Sequence, residues 1–158
     1  MKRLVISIIL LATISACGGQ QKISDNFATV IRVVDGDTVV LSVNGSVETV
    51  RLIGVNTPET VHPTKPVECF GPQASAFMHS VLKPKTKVQL RRDVEARDRY
   101  QRLLVYLYLT DGTFINQELV RLGFARTMSI QPNTAFASKF AAVQTEASKN
   151  QIGLWFNC

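Results

Sequence analysis

Oxygen-bearing side chains concentrate in two short segments of this chain. Asp35 and Asp37 flank a glycine, and Asn56, Thr57 and Glu59 lie around a proline that follows an apolar stretch. Carboxylate, amide and backbone carbonyl oxygens are the ligands that hard cations such as Ca2+ prefer. Proline restricts the backbone on both sides, so Glu59 is expected on a rigid corner. We predict a metal-assisted site where the two segments meet, although each segment alone is also compatible with a plain turn.

Two arginines are candidates for binding a phosphate. Arg51 opens an apolar segment, and Arg102 opens another one shortly after Tyr100. A guanidinium binds two phosphate oxygens at once and stays charged, which suits a transition state that gains negative charge. Tyr100 lies two residues before Arg102 and therefore on the same side of an extended segment. The alternative is that both arginines are solvated charges at strand ends.

The chain is basic, with 18 Lys and Arg against 12 Asp and Glu and a formal charge of +6. This balance favours polyanionic partners and salt-sensitive association. A further group of arginines is expected to form a solvated surface that contacts nucleic acid non-specifically: Arg91, Arg92, Arg97 and Arg99. The histidines, His62 and His79, have no evident partner and are expected to be incidental to acid–base chemistry.

The N-terminus differs in composition from the rest of the chain. Residues 1–16 join a positively charged start to an apolar run that is too short to span a bilayer, which is typical of a secretory signal peptide. The four residues that end at Cys17 resemble a bacterial lipobox, so we predict cleavage before Cys17, lipidation of its side chain and a short tether over residues 17–26. The protein is then an exported lipoprotein anchored to a membrane of the cell envelope. The alternative is a secreted protein without an anchor.

Three cysteines are an awkward number for an exported protein. Lipidation of Cys17 would leave Cys69 and Cys158 to form a disulfide between the middle of the chain and its C-terminus. The alternative is two unpaired thiols. The sequence has no CxxC motif and no cluster of histidine and cysteine, so a zinc site is not expected.

Apolar periodicity and turn signals predict five strands and three helices. Alternating β-branched segments, some joined by Asp-Gly or Asn-Gly turns, favour strands at 27–34, 38–43, 47–55, 87–93 and 103–109. Helical spacing predicts helices that begin at Gly71-Pro72, span 114–122 and follow a cap at Asn133 or Thr134. A helix between the third and fourth of five strands is the order of the OB-fold, a barrel that commonly binds oligonucleotides. We predict an α+β fold, a five-stranded OB-fold β-barrel with three helices, as one domain over residues 27–158.

Several segments together resemble the staphylococcal nuclease (thermonuclease) family. They occur in the family's order across residues 27–156: Asp35-Gly36-Asp37-Thr38, Arg51 to Glu59, His62-Pro63, Val67-Glu68 with Gly71-Pro72 and Ala74 to Phe77, Asp98 with Tyr100 and Arg102, Asn116 with Leu119 to Arg121, and Gly153-Leu154-Trp155. The resemblance implies a Ca2+-dependent phosphodiesterase that uses water to cleave the P–O5′ bond of DNA and RNA and leaves 3′-phosphates. We expect a monomer without a protein partner.

The resemblance also implies a set of calcium ligands. On the family's pattern, Asp37, Asn56 and the backbone carbonyl of Thr57 would hold the ion. The family has an aspartate where this chain has Asn56. An amide oxygen can bind calcium, but one negative charge is lost, so weaker binding is expected unless Asp35 or water compensates.

The same pattern implies the residues that act on the phosphate. Arg51 and Arg102 would bind the scissile phosphate, Glu59 would activate or position the water, and Tyr100 would contact the phosphate of a bound nucleotide. Elementary chemistry agrees, because a metal and guanidinium groups offset developing charge while a carboxylate accepts the proton of water. Met128 stands where the family often has a pocket tyrosine, which predicts altered base stacking.

Two other classes of function compete with a nuclease. A non-catalytic OB-fold module would bind nucleic acid without turnover; Asn56 favours it, whereas Arg51, Glu59 and Arg102 favour the enzyme. A surface adhesin or structural lipoprotein would use the basic face for acidic partners and would not depend on Glu59. Cleavage of DNA and RNA with calcium and with a chelator separates these classes.

Overall fold

The computed structural model describes residues 27–61, 63–64 and 66–158. The predicted signal peptide, Cys17, the tether and His62 lie outside the described residues. The strands are β1 (Phe27–Asp35), β2 (Thr38–Val43), β3 (Ser46–Leu52), β4 (Gly54–Asn56), β5 (Lys87–Arg91), β6 (Leu103–Leu109) and β7 (Arg126–Met128). The helices are α1 (Gly71–Val81), α2 (Ile115–Arg121), α3 (Ala137–Lys149) and α4 (Leu154–Asn157). Within the described ranges, no helix is both long enough and apolar enough to cross a bilayer.

Five strands close into a barrel in the order β1-β2-β3-β6-β5. Neighbours are antiparallel except β3 and β6, which run parallel with Val50 opposite Leu103. The barrel closes where Phe27 in β1 faces Gln89 in β5. Apolar strand residues fill its interior, and Val39 in β2 is fully buried. The predicted five-stranded OB-fold barrel with accompanying helices is confirmed.

The predicted third strand, 47–55, is in fact two strands separated by a break at Ile53. β3 ends at Leu52, and Gly54, with a φ of 79°, begins the separate strand β4. Glycine adopts this left-handed conformation without the steric cost of a side chain, so the chain can leave the barrel here. β4 pairs with β7, and Arg126 faces Asn56. This second sheet, which the sequence analysis did not include, fixes the backbone of Asn56.

The predicted start of the first helix is confirmed, whereas the predicted cap of the third helix is wrong. α1 begins at Gly71 with a proline in its first turn, as expected. α3 begins at Ala137, so the prediction that Asn133 or Thr134 caps it is wrong. The Asn133 side chain instead accepts a hydrogen bond from the Glu95 amide at 2.8 Å and donates one to the Glu95 carbonyl at 3.0 Å. Asn133 therefore joins two loops, because its side-chain amide carries both an acceptor for the Glu95 amide and a donor for the Glu95 carbonyl.

Two further boundaries differ from the predicted ones. The fourth predicted strand extends too far, because β5 ends at Arg91. Asp93 lies beyond that end, where its carboxylate accepts hydrogen bonds from the Tyr106 hydroxyl at 2.8 Å and the Ala135 amide at 3.0 Å. The short helix α4 was not predicted, since four residues carry too little periodicity to identify it.

A buried side-chain amide attaches α2 to the break between β3 and β4. Asn116 is fully buried; its Nδ2 donates to the Ile53 carbonyl at 2.8 Å, and its Oδ1 accepts from the Leu107 amide at 2.9 Å. Buried polar groups are stable only when they are hydrogen-bonded. Asn116 therefore holds the bend at Ile53 against the central strand β6.

A disulfide joins the two ends of the helical layer. Cys69, just before α1, is bonded to Cys158, just after α4, and their Cα atoms are 5.9 Å apart. The bridge spans a sequence separation of 89 residues. In the chain-entropy model, closing a loop of this length stabilises the folded state by about 4.6 kcal/mol.

Gly54→Ala tests the strand break. A Cβ at Gly54 would lie 2.6 Å from Cε2 of Phe140 at a φ of 79°. Gly45→Ala is the matched control, because Gly45 has a φ of 84° and no atom within 4 Å of the added Cβ. We expect Gly45→Ala to lower the free energy of unfolding by about 1 kcal/mol through its backbone, and Gly54→Ala to lower it by about 1–3 kcal/mol more through overpacking. Urea unfolding measures both, and equal losses would contradict the packing argument.

Candidate active site

A buried ion pair lies at the centre of the candidate site. Arg51, near the end of β3, faces Thr38 at the start of β2, so Asp37 lies beside the guanidinium. Arg51 Nη2 is 3.0 Å from Asp37 Oδ2, and both residues are less than a tenth exposed. The second Asp37 oxygen, Oδ1, accepts a hydrogen bond from the Thr38 hydroxyl at 3.0 Å. The inward-facing arginine thus has the anionic partner that burial requires.

The Arg51 guanidinium also binds the backbone at the strand break. Its Nη1 donates to the carbonyls of Leu52 at 2.7 Å and Val55 at 2.8 Å. Burial lowers the pKa of Arg51; the charge of Asp37 opposes this effect and the nearby Arg102 adds to it. An arginine pKa is high enough for the side chain to remain cationic. The strand break therefore encloses a fixed positive charge.

The predicted calcium ligands lie together beside this ion pair. Asn56 Oδ1 accepts from Arg51 Nη2 at 3.3 Å, and the Thr57 amide donates to Asp37 Oδ2 at 3.0 Å. Gly36 permits the close approach, because a Cβ there would lie 2.7 Å from Thr57 Oγ1. Thr57 Oγ1 is buried without a hydrogen-bond partner among the described residues. The turn between β1 and β2 thus packs directly on the end of β4.

Two further carboxylates, Asp35 and Glu59, line the same region. Glu59 Oε1 accepts hydrogen bonds from the Thr60 amide at 2.9 Å and the Val61 amide at 2.8 Å. Asp35 Oδ1 accepts from the Thr60 hydroxyl at 2.6 Å. Burial raises the pKa of Asp35, and a hydrogen bond with Glu59 and the charge of Asp37 raise it further, although the hydrogen bond from Thr60 opposes them. The raised pKa of Asp35 therefore comes mainly from burial, and the acidic neighbours add to it.

The second candidate arginine, Arg102, is held by Asp98. Arg102 Nε donates to Asp98 Oδ2 at 2.7 Å, and the Arg102 amide donates to Oδ1 at 2.9 Å. The amide of Tyr100 also donates to Oδ1 at 2.9 Å, so one carboxylate organises the whole turn. Partial burial alone would raise the pKa of Asp98, but the hydrogen bonds from Arg102 and Tyr100 outweigh it and the pKa is lowered. The sequence analysis had not assigned Asp98 a place in the site.

Tyr100 lies at the surface between two guanidinium groups. Its residue is 64% exposed, with Arg102 Cζ 5.4 Å and Arg99 Cζ 4.8 Å from the ring centroid. Arg99 Nη2 also donates to the Tyr100 hydroxyl at 2.7 Å. Cation–π contacts of this kind hold an exposed ring in one orientation.

Three members of the predicted arginine surface are exposed, as expected, and also make specific contacts. Arg97 forms a two-bonded ion pair with Glu48, with distances of 2.9 Å and 2.7 Å. Arg91 lies 4.8 Å from the ring centroid of Phe136, and Arg99 lies over Tyr100 as described above. These side chains are exposed, but each has a specific partner because charged groups and rings lie within reach of a long side chain.

A single cleft of about 440 Å3 joins most of the predicted site residues. The predicted residues in its lining are Asp37, Arg51, Asn56, Thr57, Glu59 and Arg102. Tyr100 does not line this cleft; it lines a neighbouring cavity of about 490 Å3. Arg51, Arg102 and Met128 border both spaces, so a ligand could extend from one into the other.

This geometry agrees with the comparison to known proteins. Residues 49–157 match the family model described as Staphylococcal nuclease homologue. The chain belongs to the staphylococcal nuclease family. It is therefore an enzyme of the nuclease type, a hydrolase of phosphodiester bonds.

Three relatives illustrate the membership. The chain is 42% identical over 124 residues to a thermonuclease of Staphylococcus intermedius, a match that covers 78% of this chain and 73% of that protein. It is 39% identical over 128 residues to a thermonuclease of Staphylococcus hyicus, covering 81% and 75%. It is 36% identical over 129 residues to the endonuclease YncB of Bacillus subtilis, covering 80% and 60%.

Asp98→Asn tests the electrostatic anchor of Arg102. Because the folded-state pKa of Asp98 is lowered, its ionised form stabilises the fold above the unfolded-state pKa, and this contribution is lost as the pH falls through the folded-state pKa. We expect the variant to lose about 0.5–1 kcal/mol near neutral pH, where the pair is partly exposed. Metal-free urea unfolding should show the difference shrinking as the pH falls to about 3. A loss that does not change with pH would contradict the ion-pair account.

Proposed function

We propose that this nuclease is calcium-dependent and hydrolyses DNA and RNA at the P–O5′ bond, leaving 3′-phosphates. The observation that supports this best is the convergence of Arg51, Arg102, Asp37 and Glu59 on one cleft. A phosphodiester is the ligand for which this arrangement is suited, because it combines a charged phosphate with a centre that water can attack. An adhesin would not need these groups to converge.

The two arginines would bind the scissile phosphate in different ways. Arg51 is rigidly held and donates to Asp37 and to backbone carbonyls, so it would act mainly as a fixed positive charge. Arg102 uses its Nε for Asp98, and no described residue accepts a hydrogen bond from its Nη atoms. Those Nη atoms can bind two phosphate oxygens at once. As the phosphorus gains a fifth oxygen, both cations stabilise the added charge without moving.

Glu59 is the group proposed to take the proton of the attacking water. The water oxygen bonds to phosphorus, its proton passes to the Glu59 carboxylate, and the P–O5′ bond breaks with the electron pair going to the 5′ oxygen, which takes up a proton. Two backbone amides fix Glu59 Oε1, so the carboxylate has one defined orientation. A positioned base of this kind contributes about 100- to 10,000-fold to a rate.

The donor set of the cleft fits calcium. No group of three His, Cys, Asp or Glu side chains in the described part of the chain is arranged to hold a metal, so amide and carbonyl oxygens must contribute. Asp37, Asn56 and the Thr57 carbonyl would supply oxygen ligands, with Asp35 at the same cleft. Calcium accepts such mixed oxygen ligands, whereas Mg2+ demands stricter geometry. When bound, calcium would polarise a phosphate oxygen and orient the water.

We further propose that the enzyme is exported, with a signal peptide over residues 1–16 and a lipid anchor on Cys17. The described domain begins at Phe27, so the tether 17–26 would separate the barrel from the membrane. Free calcium and an oxidising environment are both compatible with the oxygen ligands and the Cys69–Cys158 disulfide.

Glu59→Ala tests the catalytic assignment. We expect turnover on DNA and RNA to fall by at least about 100-fold, with little change in nucleic-acid binding, and a calcium chelator to abolish cleavage by the unaltered protein. Glu146→Ala, on the exposed face of α3, is the matched control and should leave turnover unchanged. Binding without turnover in the unaltered protein would instead favour the non-catalytic module.

Asn56→Asp tests the metal assignment. An added carboxylate at this position should tighten calcium binding by about tenfold, measured by calorimetric titration in the absence of substrate. Asn44→Asp adds the same charge at the exposed turn between β2 and β3, outside the cleft, and should change calcium affinity little. Equal changes in calcium affinity would mean that any added negative charge has this effect, and would contradict a ligand role for Asn56.

Cys17→Ser tests the anchor. Loss of the lipidated side chain should move the protein from the membrane fraction to the soluble fraction of cells that export it, measured by fractionation and immunoblotting. An unaltered protein that is already soluble would refute the lipoprotein assignment and leave simple secretion.

A further inference from the structure

The segment that carries Glu59 is closed by a reciprocal pair of hydrogen bonds. The Glu59 amide donates to the Glu68 carboxylate, Oε2, at 3.0 Å, and the Glu68 amide donates to the Glu59 carbonyl at 2.9 Å. Glu68 also lines the cleft with Glu59. The backbone that orients the proposed base therefore depends on a second glutamate, nine residues further along the chain.

The start of α1 packs against the same corner. The Gly71 amide donates to the Glu68 carbonyl at 3.0 Å. A Cβ at Gly71 would lie 3.0 Å from the Pro58 carbonyl oxygen and 3.1 Å from the Glu59 carbonyl oxygen. The backbone at Gly71 thus packs directly against the carbonyl groups of Pro58 and Glu59. A shift of residues 68–71 would therefore displace Glu59.

The disulfide fixes the residue next to Glu68. Cys69 is bonded to Cys158, and α4 is itself attached to the core, since Leu154 is 2% exposed and its amide donates to the Gly123 carbonyl at 2.9 Å. On the other side of Glu68, Val67 is 58% exposed. With so little packing at Val67, the bridge is a covalent restraint on this part of the chain in addition to the contacts of α1.

We propose that Glu68 is a positioning residue for Glu59 and that the Cys69–Cys158 disulfide maintains it, so that reduction of the bridge lowers catalytic turnover. This inference rests on the proposed catalytic role of Glu59. Both cysteines are exposed, so a reductant can reach the bridge. The enzyme is then fully active only in an oxidising environment, although neither sulfur touches the cleft lining.

Hydrogen exchange of the Glu59 amide tests the inference without using activity. In the oxidised protein, we expect this amide to exchange at least about tenfold more slowly than after reduction with dithiothreitol or in Glu68→Ala. Glu68→Gln keeps an acceptor oxygen and should retain most of the protection. The double variant Cys69→Ser/Cys158→Ser should match the reduced protein and be indifferent to dithiothreitol. An amide that exchanges equally fast in all of these proteins would overturn the inference.

Steady-state kinetics then separate positioning from general stability. Well below the unfolding temperature, reduction and Glu68→Ala should each lower kcat by roughly 5- to 20-fold, less than the approximately 100-fold that a misplacement of about 1 Å can cost. KM should change less than twofold, and Glu68→Gln should restore most of kcat. A loss that appears only in KM, or only near the unfolding temperature, would mean a structural role and refute positioning.

A double-mutant comparison decides whether the effect passes through Glu59. In a Glu59→Ala background, reduction and Glu68→Ala should cause no further loss of the residual cleavage, because residues that act as a unit are non-additive. Additive losses would refute the inference while leaving the nuclease assignment intact. If the unaltered protein does not cleave nucleic acid, the proposed function fails, and the exchange rate of the Glu59 amide still decides whether Glu68 and the bridge hold the loop.

Discussion

The buried ion pair between Arg51 and Asp37 is the interaction on which the rest of the site depends. Arg51 is only 7% exposed, so its guanidinium requires a compensating anion and acceptors for its remaining donors. Asp37 provides the anion, and the carbonyls of Leu52 and Val55 provide the acceptors. Leu52 ends β3 and Val55 lies in β4, so the guanidinium bridges the two strands across the break. The strand break and the charge therefore stabilise each other.

Pre-organisation follows from how the two arginines are held. Each has its own aspartate, but Asp37 binds a terminal nitrogen of the Arg51 guanidinium, whereas Asp98 binds the Arg102 guanidinium through Nε. Arg51 is therefore fixed by the protein on several sides, whereas Arg102 is held through Nε and lines the cleft. A site with one immobile cation and one oriented donor pair can stabilise charge that develops on a phosphate with little reorganisation. The desolvation cost of Arg51 is met in the folded protein before any ligand binds.

Local signals predicted the barrel well and its long-range details poorly. Alternating β-branched residues and Asp-Gly or Asn-Gly turns determine β1 to β3, since each element is encoded within a few residues. The second sheet that begins at Gly54 could not be predicted, because it depends on pairing with β7 and on the ring of Phe140 in α3. Asp98 was given no role because its contacts with Arg102 and Tyr100 arise from the conformation of the turn. Residue types at the site were recognisable, whereas partners that arise from tertiary contacts were not.

Asn56 is neutral, so it contributes no negative charge beside the Arg51–Asp37 ion pair. Its amide oxygen still accepts a hydrogen bond from Arg51, so the geometry of the corner does not require a carboxylate. Without that negative charge, however, Arg51 is compensated mainly by Asp37, and the cleft attracts an anion more strongly and a cation less strongly. Asp35, whose pKa is raised beside Asp37 and Glu59, is the nearby group whose ionised form a cation would favour. If the proposed phosphate and calcium sites are both correct, the two ligands would bind cooperatively, because each would supply the charge that stabilises the other.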